Sequence, residues 1–436
     1  MSALIAFIVS LCLTVVAIVG TRSASRTLLH PAVIFSSVWL FVFAVLPLRI
    51  LPYFEIRDDT YVLILAANTA VVTGALFQLV RMRRNKTRPP STGQDVHVQL
   101  MVLGRAIRLF MFAGCFLFAL FIFIVGREFG FSALLTTPHI VRSGFSGIAI
   151  QLTIKYFYFT TPAAAMAFIH LTMSRRHRRR MLAVILLSLA MSIATTGRTA
   201  PITILVWLVF VRVFVPSRRR VLENTKKLTL ALVTCAAVAL VFVYGGNWIG
   251  KTFDNSGFQR KISVESTWNV SVIPYYYFTA SVPALNNLLI EPAGLTFGTY
   301  TFLPLAKIVF PLVNREAPSE ISPETFVPYS ANTYTYAYPF LRDFGVAGLI
   351  LGSVVMGLIT EGSYLRMVRA NRSIAAVLRN AFLAKCLVFT FGTNHFCSPF
   401  TWWCIGLTYV LGACVSHARN KRDVPARVLR PVMVGR

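Results

Sequence analysis

Apolar residues in this chain fall in long uninterrupted blocks instead of alternating with polar ones. Blocks able to cross ~30 Å of hydrocarbon need about 20 residues each. They occur near 3–20, 31–51, 61–80, 100–126, 147–172 and 228–245, and again near 344–362, 376–392 and 398–416. A further stretch from 181 to 216 is interrupted by Thr195, Thr196, Gly197, Arg198, Thr199 and Pro201. It reads as a helical hairpin of 181–195 and 200–216. The pattern therefore predicts an all-α polytopic membrane protein of about eleven transmembrane helices. Helices 1–8 with basic loops occupy residues 1–245, a large loop 246–343, helices 9–11 residues 344–416, and a basic tail 417–436.

Composition points the same way, since 56% hydrophobic and only 13% charged residues lie outside the range of a soluble domain. The net charge of +28 would suggest nucleic-acid binding in a soluble protein, but its distribution argues otherwise. Basic residues crowd alternate loops: Arg22 with Arg26, Arg81 to Arg88, Arg175 to Arg180, Arg218 to Lys227, Arg366 to Arg379, and the tail from Arg419 to Arg436. The intervening loops are neutral or acidic, as in Glu55, Arg57, Asp58 and Asp59. By the positive-inside rule the N-terminus is outside and the C-terminus in the cytoplasm. The first block lacks a positive segment before it and reads as a retained anchor instead of a signal peptide. The seven cysteines show no CxxC pair or metal spacing and read as small packing residues.

The loop 246–343 is too long for a simple connection and too apolar for disorder. Val272 to Leu289, with Tyr275, Tyr276, Tyr277, Phe278 and Pro283, reads as short interfacial or re-entrant helices, and Thr301 to Val313 is a second apolar stretch. These aromatics suit either an interfacial anchor or a groove for a lipid tail or sugar rings. The chemistry-bearing groups of the outer loops are Arg142, Arg198, Arg260, Lys261, Glu265, Arg315, Glu316, Glu320, Glu324, Arg342, Asp343 and His395. Arginines converging on one cavity would suit a pyrophosphate, because the guanidinium bonds phosphate bidentately and keeps its proton. Arg198 could equally be a turn residue reaching headgroups, and Arg342 could pair locally with Asp343. The polar groups lie in outer loops instead of along helix interiors, which counts against a transporter. Soluble-enzyme signatures such as a P-loop, HExxH or GxSxG are missing, and no metal or cofactor is expected.

Residues Phe326 to Gly352 add a resemblance. Asn332, Tyr334, Thr335 and Tyr338, then Asp343-Phe344-Gly345 and Gly348 leading into a helix, resemble the O-antigen (Wzy-type) oligosaccharide repeat unit polymerases. The Thr196-Gly197-Arg198-Thr199 turn, the tyrosines at 275–277 and the segment Gly298 to Phe302 are similar in kind, so the likeness covers about 195–352. It implies a GT-C-like integral membrane glycosyltransferase of the bacterial inner membrane, working at the periplasmic face on undecaprenyl-pyrophosphate-linked oligosaccharides. Growing glycan would pass to a fresh lipid-linked repeat in O-antigen, capsule or exopolysaccharide synthesis, independently of metal. Arg198 and Arg342, with Arg260 or Arg142, would hold the pyrophosphate. Asp343, Glu265, Glu324 or His395 would take the acceptor's proton. Tyr334, Tyr336 and Tyr338 would meet sugar rings, and Asn332 and Thr335 would fix the loop or acceptor. Membrane lipids and a chain-length regulator are the further partners implied. A lipid-linked oligosaccharide flippase and an O-antigen ligase are the alternatives.

Overall fold

In the computed structural model the first helix, α1 (Ala3–Arg22), is inverted relative to a soluble amphipathic helix. Its buried face is Ala6, Ser10, Thr14, Ala17 and Thr21, while Leu4, Ile8, Leu11, Val15 and Val19 are exposed. Small residues let helix backbones approach where lipid already satisfies the aliphatic side chains. The Thr14 and Thr21 hydroxyls donate to the carbonyls of Ser10 and Ala17, so their polarity is spent within the helix.

The structure describes residues 3–22, 30–51, 53–84, 96–132, 147–174, 177–194, 199–215, 269–291, 294–319, 322–327, 330–369 and 373–428. After α1 come α2 (Pro31–Val45), α3 (Asp58–Arg84), α4 (Val96–Phe129), α5 (Gly147–Met173), α6 (Arg178–Ala194) and α7 (Thr199–Phe214). Three short helices follow, α8 (Asn269–Thr279), α9 (Ser281–Ile290) and α10 (Leu303–Leu312). Then come the two-residue antiparallel strands β1 (Thr325–Phe326) and β2 (Ser330–Ala331), and α11 (Ala337–Arg369), α12 (Ile374–Val388) and α13 (Pro399–Val428). Seven helices among the described residues are long and apolar enough to span a bilayer, which makes this a multi-pass membrane protein. Helices α5, α6 and α7 fall on three more of the apolar blocks, and block 228–245 lies outside the described residues.

The chain divides into two compact units. The first comprises Met1–Arg88, Cys235–Arg366 and Phe382–Trp402. Within it α3 and α11 meet at two glycines. A Cβ on Gly357 would strike the Val71 carbonyl and come within 2.9 Å of the Ala75 nitrogen, and one on Gly74 would strike the Val354 carbonyl. No side chain fits in this seam. Gly20 of α1 sits on Leu76, and Gly362 of α11 on Gln78, so Arg22, Arg81, Arg83 and Arg366 share one end of the unit. At the opposite end Asp58 and Asp59 open α3, where carboxylates complement the helix dipole.

The second unit comprises Pro89–Thr234, Met367–Ala381 and Trp403–Arg436. Gly114 of α4 lies against Thr160 of α5, and Tyr156 donates to the Met191 carbonyl of α6 at 3.2 Å. The Trp207 indole donates to the Leu378 carbonyl at 3.2 Å and the Trp403 indole to Tyr158 at 2.9 Å.

Candidate functional site

The non-basic end of the first unit carries a layer built from α8, α9, α10, the strand pair and the 46–57 connection. Asn286 of α9 fixes its height. Its Oδ1 accepts the Arg57 N–H at 2.9 Å and the Thr60 hydroxyl at 2.8 Å, so a side chain from the long loop serves the start of α3. Tyr275 donates to the Leu46 carbonyl at 3.1 Å and stacks on Tyr53, whose hydroxyl meets Thr279 at 2.8 Å. The Asn287 amide donates to the Phe326 carbonyl at 2.7 Å, which adds the strand pair.

The motif from Asn332 to Gly348 ends in this layer through a break in α11. Gly345 has φ 65° and ψ −160°, a region closed to residues with a Cβ. The ninth helix therefore does not simply begin at Phe344, as its hydropathy predicts. A short helix up to Phe344 folds back along the longer one, with Phe340 on Gly348 and Gly352. The spacing of these two glycines thus serves the chain's own preceding turns. Breaking the helix also strands its last carbonyls. Those of Arg342 and Asp343 accept the Thr296 and Phe297 N–H groups, each at 3.2 Å. The Asp343 carboxylate, fully buried, accepts the Thr296 hydroxyl at 2.5 Å, Tyr300 N–H at 3.1 Å and Thr301 N–H at 2.6 Å. Asp343 is thus a clasp on the 296–301 turn. Its oxygens face that turn and make no ion pair with Arg342.

The Nη1 of Arg342 is buried and has no hydrogen-bond partner, an uncommon state for a cationic donor. The guanidinium lies within electrostatic reach of Tyr338. Tyr338 stacks on Tyr334 at 4.5 Å between ring centroids and meets Tyr300 edge-on at 5.5 Å. Tyr336 points the other way, into the core, between Phe35 and Trp39, with its hydroxyl on Asn68 at 3.1 Å. The residues before α11 alternate sides, which places Tyr336 in the core and corrects its expected contact with sugar. Thr335 is buried and caps the helix, its hydroxyl accepting the Ala337 N–H at 3.2 Å, while Asn332 is exposed.

A second polar locus in the same unit joins α12 to the turn after it. Lys385, fully buried, approaches His395 Nδ1 at 3.3 Å and lies over the rings of Phe382 and Phe389. Burial and the Lys385 charge hold the His395 pKa well below its usual value, so the imidazole is neutral near pH 7. Lys385 thus occupies the Nδ1 side of the imidazole. This turn is tied to the motif, since Tyr336 N–H donates to Thr390 and the Asn394 amide to the Tyr336 carbonyl, both at 2.8 Å. Burial and the Asp343 charge raise the Cys397 thiol, which puts the clasp within electrostatic reach of the same turn.

Set against known protein families, curated proteins and solved structures, the chain matches none. Its chemistry is therefore argued from its own residues. Glu324 is exposed just before β1, and its charge adds to burial and Tyr277 in raising the Tyr276 phenol. Arg142, Arg198, Arg260 and Glu265 lie outside the described residues.

Two groups escaped the sequence reading because they sit inside apolar blocks. One is Lys385. The other is Glu361 of α11, whose Oε1 meets His30 Nδ1 at 2.7 Å with both side chains fully buried. His30 also packs on Tyr364, and Glu361 Oε2 has no hydrogen-bond partner. The expectation that polar groups avoid helix interiors is corrected by this pair and by Lys385. A lone charge inside a predicted span was the available signal.

Proposed function

We propose that the protein is an inner-membrane polymerase of undecaprenyl-pyrophosphate-linked oligosaccharide repeats, with about eleven spans and its active layer on the periplasmic face. The supporting observation is the buried, unpartnered Arg342 nitrogen beside a tyrosine cluster, at the end of the first unit away from Arg22, Arg81, Arg83 and Arg366. The acceptor hydroxyl attacks the anomeric carbon of the growing glycan, and the C–O bond to pyrophosphate breaks with its electron pair going to the phosphate oxygen. Arg342 meets the charge developing there. Glu324 takes the hydroxyl proton, since Asp343 is occupied by the 296–301 turn and His395 Nδ1 by Lys385. Arg198 and Arg260 are further phosphate ligands on this reading, with Arg142 in reserve and Glu265 an alternative base. The fold would be GT-C-like, and a chain-length regulator would dock on the same face.

Buried Glu361 and Lys385 favour a second reading, a flippase of the same lipid-linked substrate, because ionisable groups inside spans often mark transport pathways. The purified protein given a cognate lipid-linked repeat separates the two. The polymerase reading expects a ladder of lengthened glycans, reduced by about 100-fold or more in Arg342→Ala. Absence of lengthening by folded wild type on a verified substrate would turn the assignment to transport or to ligation onto another acceptor.

A further inference from the structure

In the first unit, α10 is apolar on the side that faces away from the protein. Leu303 and Ala306 turn inward and are buried, whereas Leu305, Ile308, Val309 and Leu312 are exposed at the i, i+3, i+4, i+7 spacing of a single stripe. Ile308 is 64% and Leu312 78% exposed. Lys307 falls on the other side of the helix and is half-buried, so no charge breaks the stripe. Polar residues resume only beyond the helix, at Asn314, Arg315 and Glu316. A contiguous aliphatic stripe of this kind marks contact with a membrane or a partner.

The neighbouring surface decides between them. Helix α11 is suited to span a bilayer, and its exposed Leu351, Val355 and Ile359 lie four apart along one side, the side that meets acyl chains. Phe302 and Phe344, both exposed, join that side to α10, since a Cβ on Gly298 would meet them at 3.1 and 3.4 Å. Ten residues rise about 15 Å, half the thickness of the hydrocarbon, so α10 enters one leaflet and does not cross. Its root is the 296–301 turn held by Asp343. From there to Arg366 the chain of α11 runs about 30 Å, one bilayer core. We propose that α10 is embedded in the leaflet remote from Arg22, Arg81, Arg83 and Arg366, with Leu305, Ile308, Val309 and Leu312 among its acyl chains. The stripe is occupied by lipid and not by a second copy of the chain, because it is continuous with the lipid-facing side of a span. The clasped turn is thereby held at the edge of the hydrocarbon. None of this depends on the glycan chemistry proposed above.

The test places the photoreactive residue p-benzoyl-phenylalanine singly at Ile308, Leu312, Leu351 or Glu316 of the full chain, in nanodiscs of phosphatidylglycerol and phosphatidylethanolamine. Adducts formed on irradiation are read by mass spectrometry. Phospholipid adducts at Ile308 and Leu312 are expected to match the yield at Leu351, and to exceed that at exposed Glu316 by at least about tenfold. Yields at Ile308 and Leu312 no higher than at Glu316 would put the stripe in water and overturn the proposal. Cross-links to a second chain in place of lipid would assign the stripe to a dimer and overturn it equally. The unsubstituted chain supplies a second arm, in which hydroxyl-radical labelling of Leu312 is expected to stay as low as that of Leu351. Labelling about tenfold higher at Leu312 would rule out embedding without recourse to any variant.

Discussion

Asp343→Asn separates a clasp from a base. The wild-type carboxylate receives the Tyr300 and Thr301 N–H groups and the Thr296 hydroxyl in a fully buried setting. The amide keeps one acceptor oxygen but turns an NH₂ toward donors that have no water to replace the lost partner. A charge-assisted bond is weakened and one buried N–H is left unmet, each worth about 1–3 kcal/mol, so a net 2–3 kcal/mol is a fair estimate for local opening of the 296–301 turn. At 1.4 kcal/mol per decade, the Tyr300 and Thr301 amides should exchange about 30- to 140-fold faster. Hydrogen exchange read by mass spectrometry on a peptide covering 296–302 measures this directly. Loss of any activity with unchanged protection of those amides would refute the clasp and make Asp343 a proton acceptor.

Gly345→Ala is expected to cost about 1–3 kcal/mol through its backbone alone, because the nearest atom to a Cβ there is Leu295 Cδ2 at 4.0 Å; thermal unfolding in detergent against Gly392→Ala, which has open space, checks it. His395 has a folded pKa below its unfolded value near 6.5. The unfolded chain therefore binds the extra proton, and stability falls as pH drops below about 6.5; melting between pH 7.5 and 5 should show a slope that flattens in His395→Gln. Glu361→Ala removes the carboxylate partner of buried His30 Nδ1 and should destabilise by about 1–3 kcal/mol, with Glu361→Gln milder; equal melting temperatures for Glu361→Ala and wild type would make the pair energetically idle.

Seven of the spans and the short helices of the long loop were legible because each rests on a local property. Apolar length reports a bilayer crossing, and Pro283 with the tyrosines at 275–277 marks where α8 and α9 lie. The segment from Asn332 to Gly348 is legible as a polar and aromatic run, but the places of its side chains are not. Tyr334, Tyr336 and Tyr338 look equivalent in the sequence, yet only the outer two share a side, and their rings are spent on each other and on Tyr300. Asp343 reads as an acid in a loop until the Gly345 break brings it to residues 42 to 47 positions earlier. That break is not readable from Gly345, Gly348 and Gly352, whose spacing serves a straight helix contact equally well. Glu361 and Lys385 stand as charges within apolar blocks that the sequence reading passed over, and their partners, His30 and His395, are set by tertiary packing.

The seam between α3 and α11 works as a ruler. With Gly74 against Val354 and Gly357 against Val71, sliding one helix along the other by a turn would drive a side chain into a backbone carbonyl. The distance from the Asn286-capped start of α3 to the Gly345 break is therefore constant. An opening of the outer layer cannot draw on a slide of α3 along α11 beneath it.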